Sequence, residues 1–253
     1  MNEKFESIKL AGSIAAGALD EITHIIKPGI KTSEIDDLCY QYINDHKAFS
    51  APLYYRGYPR SCCTSANHVV CHGIPSEKVL IEGDIINVDV TAIKNGWHGD
   101  TSRMFTVGEC SVKAKKLVKV TYEAMMKAIN IIKPNINLGN IGHVIQKTVE
   151  AEGFSVVRDF CGHGIGKKFH ESPNVLHYGE QNSGQKLTSG MIFTVEPMIN
   201  FGNFETKTLK DGWTAVTKDK TLSAQFEHTV GVTQEGYEIF TLSKKGLDFP
   251  PNL

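Results

Sequence analysis

The sequence predicts an α+β protein in which two pseudo-symmetric halves share one sheet. Three observations lead to this prediction. A helix that ends in the same short motif occurs twice, a second helix follows each copy, and each half then has an acid inside an apolar strand. The length of 253 residues and the apolar content of 41% are sufficient for a large core in one domain or for two small domains.

The helical repeat is the first of these observations. The segment HIIKPGI at 24–30 recurs as NIIKPNI at 130–136, which is 106 residues later. Apolar residues three or four apart precede each copy, and each first helix should end near its Lys-Pro pair because proline cannot continue a helix. The apolar positions are Ile8, Ala11, Ile14, Ala18, Ile22 and Ile25 in the first half, and Leu117, Val120, Ala124 and Ala128 in the second.

A second helix is predicted after each copy of the motif. The first, TSEIDDLCYQYINDH at 32–46, has Thr32 or Ser33 as its N-cap. The second, LGNIGHVIQKTVEAEG at 138–153, ends at Gly153.

The repeat continues into the strands. LIEGDIINVDV at 80–90 aligns with LTSGMIFTVEP at 187–197, so that Asp89 corresponds to Glu196. A long loop and a hairpin are expected in each half. Chance similarity between two Lys-Pro helix ends is the alternative explanation, and the repeated acids argue against it.

A later strand of each half also begins with an acid. DTSRMFTVG starts at Asp100, and EHTVGVTQEG starts at Glu227. The repeat therefore extends over roughly 5–105 and 112–240, within a single domain that spans 1–253.

The hairpin of the first half brings two carboxylates together. An Asn-Gly pair at 95–96 predicts a two-residue turn. With that turn, the numbers of paired residues add up to 191, so Asp100 lies opposite Thr91. Side chains alternate between faces, so Asp89 shares the face of Thr91 and lies roughly 7–8 Å from Asp100.

Two ionised carboxylates this close repel each other, and each loses hydration worth several kcal/mol, on the order of that for other buried ions. Arg103 cannot neutralise them, because it has the opposite parity to Asp100 in an extended strand. Convergence of the two halves would place a formal charge of −4 in one pocket, which two divalent cations would neutralise. The acids concerned are Asp89, Asp100, Glu196 and Glu227.

Solvation or pairing with basic residues is the alternative for any single acid. The recurrence of all four at repeated strand positions favours a metal site. Its ligands are mostly hard oxygen atoms, which favour manganese, iron, cobalt or magnesium over a structural zinc held by thiolates.

Histidines in glycine-rich segments accompany the acids. CGHGIGKKFHESP at 161–173 contains His163 and His170, and VVCHGIP at 69–75 contains His72. A phosphate-binding loop is the first rival, but no Gly-Lys-Ser/Thr ending and no clear βαβ unit is present. Glycines that let a backbone loop approach a metal fit better.

The composition excludes several classes of protein. With 27 basic and 28 acidic residues, the net charge is −1 and no asymmetry indicates nucleic acid or an anionic membrane as a partner. No apolar run approaches the roughly 20 residues of a membrane span, and MNEKFESIKL lacks the apolar core of a signal peptide. We therefore expect a cytoplasmic protein, with its six cysteines reduced.

Taken in order, several of these segments resemble type I methionine aminopeptidases over nearly the whole chain. The segments are VCHGIP, NVDV, HGDTSRMF, CGHGIG, FHESP, FTVEPM and AQFEHTV. The resemblance implies the pita-bread fold: two pseudo-symmetric halves sharing a central, mostly antiparallel curved sheet, with helices packed on its outer face. It also implies one catalytic domain that removes the initiator methionine from nascent proteins and peptides whose second residue is small.

The resemblance also implies a role for each matching residue. Two divalent cations, such as manganese, cobalt or iron(II), would be held by Asp89, Asp100, His163, Glu196 and Glu227. Asp100 and Glu227 would bridge both ions, and Glu196 would also act as the acid/base. His72 and His170 would contact the scissile peptide and His170 would stabilise the oxyanion.

The methionine pocket is expected to draw on Tyr55, Tyr58, Cys63, Phe169 and Trp213, together with His72 and His170. Ordinary core packing is the alternative for the aromatic residues. The expected partners are the N-termini of nascent polypeptides, with the ribosome surface as a second candidate. Nucleic-acid substrates and membranes are not expected, and the protein is expected to be a monomer.

One residue departs from the family pattern, and three other functions compete with the one that the resemblance implies. His68 occupies a position where bacterial members usually have an acid, which puts local loop behaviour or a nearby monovalent-cation site in doubt. A prolidase-like or proline-specific aminopeptidase shares the fold, but 253 residues leave no room for the extra N-terminal domain expected there. The other rivals are a non-catalytic binding protein, which the intact ligand set argues against, and a two-metal phosphoesterase, which only an assay excludes.

Overall fold

The computed structural model describes residues 2–250. The helices are α1 (Asn2–Ile22), α2 (Thr32–Asp45), α3 (Val112–Asn130) and α4 (Gly139–Glu150). The strands are β1 (Phe49–Ser50), β2 (Cys63–Ala66), β3 (Val69–Cys71), β4 (Ile85–Lys94), β5 (Trp97–Thr106), β6 (Ser155–Val156), β7 (Gly162–Gly164), β8 (Glu171–Val175), β9 (Ile192–Val195), β10 (Met198–Asn200), β11 (Thr206–Thr208), β12 (Ala215–Thr217), β13 (Ser223–Gln225), β14 (Glu227–Val232) and β15 (Tyr237–Ile239). Within residues 2–250, no helix combines the length and the apolar character needed to cross a membrane.

A nine-stranded sheet joins the two halves of the fold. Its main path is β1-β4-β5-β14-β9-β7-β8, with β2 added beside β4 and β15 beside β14. All of these strand pairs are antiparallel. The pair formed by β5 and β14 connects the first half to the second.

The helices cover one side of the sheet. Helices α1 and α2 pack with Val88 and Val90 of β4 in one buried cluster, while α3 and α4 pack with Phe193 and Val195 of β9 in another. Because side chains alternate along a strand, Asp89 faces the opposite side from its neighbours Val88 and Val90. The predicted α+β, pita-bread architecture, with helices on the outer face, is confirmed.

The register of the β4–β5 hairpin is the predicted one. Lys94 pairs with Trp97, and Thr91 pairs with Asp100. Arg103 lies on the helix side as predicted, where its Nη1 is 2.9 Å from Oδ1 of Asp20. Both side chains are buried, so the charge of Arg103 is used on the outer face of the sheet and not beside the acids.

The predicted helix ends need small corrections. Helix α1 ends at Ile22, so Ile25 lies in the turn beyond it. The N-cap of α2 is Lys31, whose backbone N–H donates to Oε2 of Glu34 at 2.8 Å. The Thr32 hydroxyl binds the backbone of Ser76 instead, accepting its N–H at 2.9 Å and donating to its carbonyl at 3.0 Å. Helix α4 ends at Glu150, before the predicted Gly153.

The second half lacks the expected tight hairpin. Strands β9 and β14 pair, but residues 196–226 between them form β10 to β13 in two small sheets. Pro197 lies two residues after the end of β9, and proline cannot donate a ladder hydrogen bond, so the strand does not continue.

Helix α1 lies very close to β5 at two glycines. A Cβ built on Gly99 would lie 2.2 Å from the backbone nitrogen of Gly12, and a Cβ on Gly12 would lie 2.5 Å from the carbonyl oxygen of Phe240. The neighbours are backbone atoms, which cannot rotate away. The contact therefore holds the helix directly on the strand that carries Asp100.

We expect Gly12→Ala to lower the free energy of unfolding by about 1–2 kcal/mol, because overpacking against backbone costs more than the roughly 1 kcal/mol that alanine gains in helix propensity. Chemical denaturation measures this. Gly236→Ala is the control, since nothing lies within 4 Å of a Cβ there. Equal stability of the two variants would contradict the close contact.

Candidate metal centre

Four acids lie on the inner face of the large sheet, in adjacent strands. Asp89 of β4 and Glu227 of β14 both pair with Ser102 of β5, so the three side chains form one row across the sheet. Asp100 precedes Ser102 by two residues and therefore points to the same face. Ser102 is small, so it leaves space between the carboxylates. The central strand thus brings acids of both halves together.

Asp89 and Asp100 are close enough for their carboxyl groups to share a hydrogen bond. Thr91 donates its hydroxyl hydrogen bond to Oδ1 of Asp100 at 2.6 Å. The convergence predicted from the hairpin register is therefore present in the structure.

Glu196 follows the last residue of β9, beside the first residue of β14. Since Val195 pairs with His228, Glu196 lies next to Glu227. Its Oε1 accepts a hydrogen bond from Thr194 at 2.7 Å, and Nε2 of Gln225 lies 3.4 Å from Oε2. The N–H of Glu196 donates to Nε2 of His177 at 3.1 Å. These contacts fix the orientation of the carboxylate.

His163 completes the cluster from the neighbouring strand. Its Nε2 lies 3.7 Å from Oδ2 of Asp100 and 3.6 Å from Oε1 of Glu196. The donor atoms of Asp100, His163 and Glu227 lie within 4.8 Å of one another, a spacing that one cation can span. His163 is in strand β7 and not in a loop, which corrects the sequence interpretation.

The glycines beside His163 also have a different role from the predicted one. A Cβ on Gly162 would lie 2.4 Å from the carbonyl oxygen of Thr194, and one on Gly164 would lie 2.2 Å from that of Ser172. The glycines let β7 fit between β8 and β9. The close approach that they permit is between strands, not between backbone and metal.

The electrostatics of the cluster are unfavourable without a cation. Burial raises the pKa of Asp100 to about 7 and that of Glu196 to about 8. Burial, followed by repulsion from Asp100 and Glu196, raises the pKa values of Asp89 and Glu227 well above their ordinary range. No lysine or arginine within residues 2–250 forms an ion pair with any of the four.

Two buried carboxylate oxygen atoms lack a hydrogen-bond partner among the described residues. Oδ1 of Asp89 and Oε1 of Glu227 have no hydrogen-bond partner among the described residues and are shielded from solvent. Unsatisfied buried carboxylate oxygens are costly, so they require a ligand. Four carboxylates and one imidazole suit hard or borderline divalent cations. The residues present therefore fit a metal centre.

A cavity of about 460 Å³ opens directly over this cluster. All of the residues expected to form the site line it, including His72, His170, Tyr55, Tyr58, Cys63, Phe169 and Trp213. Sequence reasoning assigned no site role to several other lining residues: Pro52, Arg56, Thr91, Asp159, Phe160, Cys161 and Met198. Two of them belong to motifs found in the sequence, since Cys161 begins CGHGIG and Met198 ends FTVEPM.

Packed aromatic rings form one part of the cavity wall. Tyr58 packs edge-on against Trp213 with ring centroids 5.1 Å apart, and Tyr55 packs against Phe169 at 5.0 Å. The hydroxyl of Tyr58 lies 3.0 Å from the carbonyl oxygens of Cys62 and Gly73. That hydroxyl is thus satisfied by backbone, and the ring is left to present an apolar surface.

The three histidines of the site are neutral near pH 7. Burial lowers the pKa of His163 to about 4. Burial, followed by the neighbouring His163, lowers that of His170 to about 3. Burial also lowers the pKa of His72. Neutral imidazole is the form that can hold a cation or donate a hydrogen bond without adding charge.

His68 lies outside this cavity. It is exposed in the turn between β2 and β3, where its carbonyl accepts a hydrogen bond from the backbone N–H of Thr217 at 2.9 Å. The difference from the family at this position therefore lies in a surface turn and not in the wall of the metal centre.

Residues 6–234 match metallopeptidase family M24. The chain belongs to this family. It is 56% identical to the methionine aminopeptidase of Rickettsia prowazekii over 98% of this chain and 96% of that protein. It is 54% identical to the methionine aminopeptidase of Escherichia coli K12 over 96% of this chain and 92% of that protein. The crystal structure of the Rickettsia enzyme superposes with a TM-score of 0.95, covering 96% of this chain and 98% of that one.

A prolidase has a similar fold at a lower sequence identity. The prolidase from Pyrococcus furiosus superposes with a TM-score of 0.78 at 21% identity, over 96% of this chain and 65% of the prolidase. This likeness shows the fold alone. As a metallopeptidase of family M24, the chain binds divalent metal, and the cluster around Asp100 is the candidate site.

Metal binding and pH should be linked in this protein. The folded pKa values of Asp100 and Glu196, about 7 and 8, lie above their unfolded values near 4. Such groups stabilise the fold while protonated, and this contribution is lost as the pH rises through the folded pKa. We expect the Tm of metal-free protein to fall between about pH 5 and pH 8, as measured by calorimetry.

Manganese should raise the Tm more at about pH 8 than at about pH 5, because the ligands bind a cation only when deprotonated. Asp89→Asn should reduce both the pH-dependent fall and the gain from manganese. A Tm that is constant over this range and insensitive to manganese would contradict the assignment.

Proposed function

We propose that this protein removes the N-terminal methionine from polypeptides, using a metal centre held by the four acids and His163. The observation that carries the proposal is the position of unpartnered carboxylate oxygens from both halves at the base of an aromatic cavity. The family and the named relatives support the same reaction.

The proposed centre holds two divalent cations. Four carboxylates carry enough charge for two, and the metal would be manganese, cobalt or iron(II). Asp89, Asp100, His163, Glu196 and Glu227 are the residues that would hold these cations. When bound, such a pair of cations lowers the pKa of a water molecule and polarises the carbonyl of the substrate.

Glu196 is the proposed acid/base. Thr194 and Gln225 orient its carboxylate toward the cavity. It accepts the proton of the attacking water and passes it to the amine that leaves when the first peptide bond breaks. Its burial keeps this proton transfer separated from bulk solvent.

His170 is the proposed donor to the developing oxyanion. Its Nδ1 lies 3.1 Å from the hydroxyl of Tyr55, and we propose that this hydroxyl donates to Nδ1. Since the ring is neutral, its remaining proton is on Nε2, which is left to donate to the substrate. A preorganised donor of this kind stabilises negative charge as it develops. His72, on the other side of the cavity, is proposed to contact the scissile peptide.

The methionine side chain occupies the aromatic part of the cavity. Tyr58, Phe169 and Trp213 present ring surfaces, which suit a flexible and polarisable thioether. Cys63 lies in the same wall, paired with Asp89 across β2 and β4. The proposed substrates are those whose second residue is small.

The substrates are the N-termini of nascent proteins. We further propose that the enzyme acts in the cytoplasm as a monomer and one catalytic domain, with a pseudo-repeat at roughly 5–105 and 112–240. Contact with the ribosome surface belongs to the same proposal. The high identity to methionine aminopeptidases favours this reaction over that of the distant prolidase.

Metal removal tests the reaction directly. Chelator-treated protein is expected to release no methionine from Met-Gly-Met, and manganese, cobalt or iron(II) should restore release, as followed by chromatography of free methionine. Full activity in the presence of chelator would refute the mechanism.

Replacement of Glu196 tests the acid/base role. Glu196→Gln should lower kcat by about 10²- to 10⁴-fold, because the amide cannot accept the proton. Circular dichroism should show an unchanged fold. Glu235→Gln, at an exposed position, is the matched control and should retain full turnover. Near-normal turnover of Glu196→Gln would remove its assigned role.

A further inference from the structure

A second groove shares part of its wall with the catalytic cavity. It has a volume of about 480 Å³, and Tyr55, Phe169 and His170 line both spaces. The rest of its wall consists of Ala51, Leu53, Tyr54, Ile93, His98 and Lys168. Because His170 lines both spaces, the groove lies next to the part of the cavity where the scissile peptide is proposed to bind.

An enzyme that removes only the first residue must let the remaining polypeptide leave its cavity. The methionine side of the cavity is closed, since Tyr58 is 2% exposed and packs on Trp213. The groove side is open, since Tyr54 at its rim is 79% exposed. The groove therefore offers the residues after the cleaved bond a continuous path to solvent.

Both walls of the groove are held in place. On one side, the backbone N–H of Tyr54 donates to the carbonyl of Tyr58 at 2.8 Å, which closes the turn that presents Tyr54 and Tyr55. On the other, His98 stacks on Phe169 with centroids 5.6 Å apart, and its Nδ1 lies 3.0 Å from the carbonyl of Gly166. A preformed groove binds a peptide at a smaller entropic cost.

The groove is apolar and carries positive charge. Lys168 is the one lysine or arginine in its described lining, and Arg56 lies beside it at the mouth of the catalytic cavity. Neither forms an ion pair within residues 2–250. Two acids lie near these spaces. Asp159 lines the catalytic cavity and accepts a hydrogen bond from the Thr206 hydroxyl at 2.6 Å, and Glu171 directly follows His170. Neither acid lines the groove.

We propose that this groove binds the third and fourth residues of the substrate chain and favours apolar and acidic side chains there over basic ones. This inference rests on the proposed function. The enzyme would then select substrates twice: by the methionine side chain, and by the charge of the residues that follow the small second residue.

The test compares kcat/KM of manganese-loaded protein for Met-Ala-Glu-Glu-Gly and Met-Ala-Lys-Lys-Gly at low salt. The acidic peptide should be cleaved at least about threefold better, as expected for two partly exposed charge contacts. Lys168→Glu should reverse the order. All peptides share Met-Ala, so any effect of a variant on His170 cancels in the ratio.

Lys167→Glu is the matched control. It makes the same change in net charge one residue away, but the Lys167 ammonium lies over the Trp97 ring at 5.4 Å, outside the groove. Its peptide ratio should stay within about twofold of the original. Equal shifts in both variants, or an original ratio near one, would overturn the groove assignment. Failure to release methionine from either peptide would overturn the proposed function as well.

Discussion

The repulsion among four carboxylates on one face of the sheet is the constraint on which the rest of the structure depends. Asp89, Asp100, Glu196 and Glu227 have no basic partner among the described residues, and two of their oxygens are unsatisfied. Proteins retain such an arrangement only where a cation compensates for it or where the chemistry requires it. Arg103, on the same strand as Asp100, is directed to the other side of the sheet, where it pairs with Asp20.

The fold brings the four carboxylates together by joining two similar halves along one strand pair. Strands β5 and β14 are adjacent, so acids that are far apart in sequence become neighbours across Ser102. The helices cover the opposite face and supply the apolar burial that offsets the electrostatic cost. The close contact of α1 with β5 at Gly12 and Gly99 holds the strand that carries Asp100.

Much of this could be predicted from the sequence because it depends on local periodicity. The Asn-Gly turn determined the register of β4 and β5, and alternation then placed Asp89 and Asp100 on one face. The helix ends were less accurate, since Lys31 and not Thr32 caps α2. The strands β10 to β13, between β9 and β14, were not predicted, because strands of three residues leave almost no periodic pattern in the sequence.

The supporting residues of the site were the hardest to predict, and the reason is physical. His177 accepts the N–H of Glu196, and His98 stacks on Phe169, yet each is a single histidine whose partner is distant in sequence. A ligand cluster is visible because several charged residues must share one unfavourable position. A positioning residue lowers the stability of the fold little, so neither the composition nor the spacing of the sequence distinguishes it from other residues. Such residues become apparent only when the packing shows which catalytic side chain they restrain.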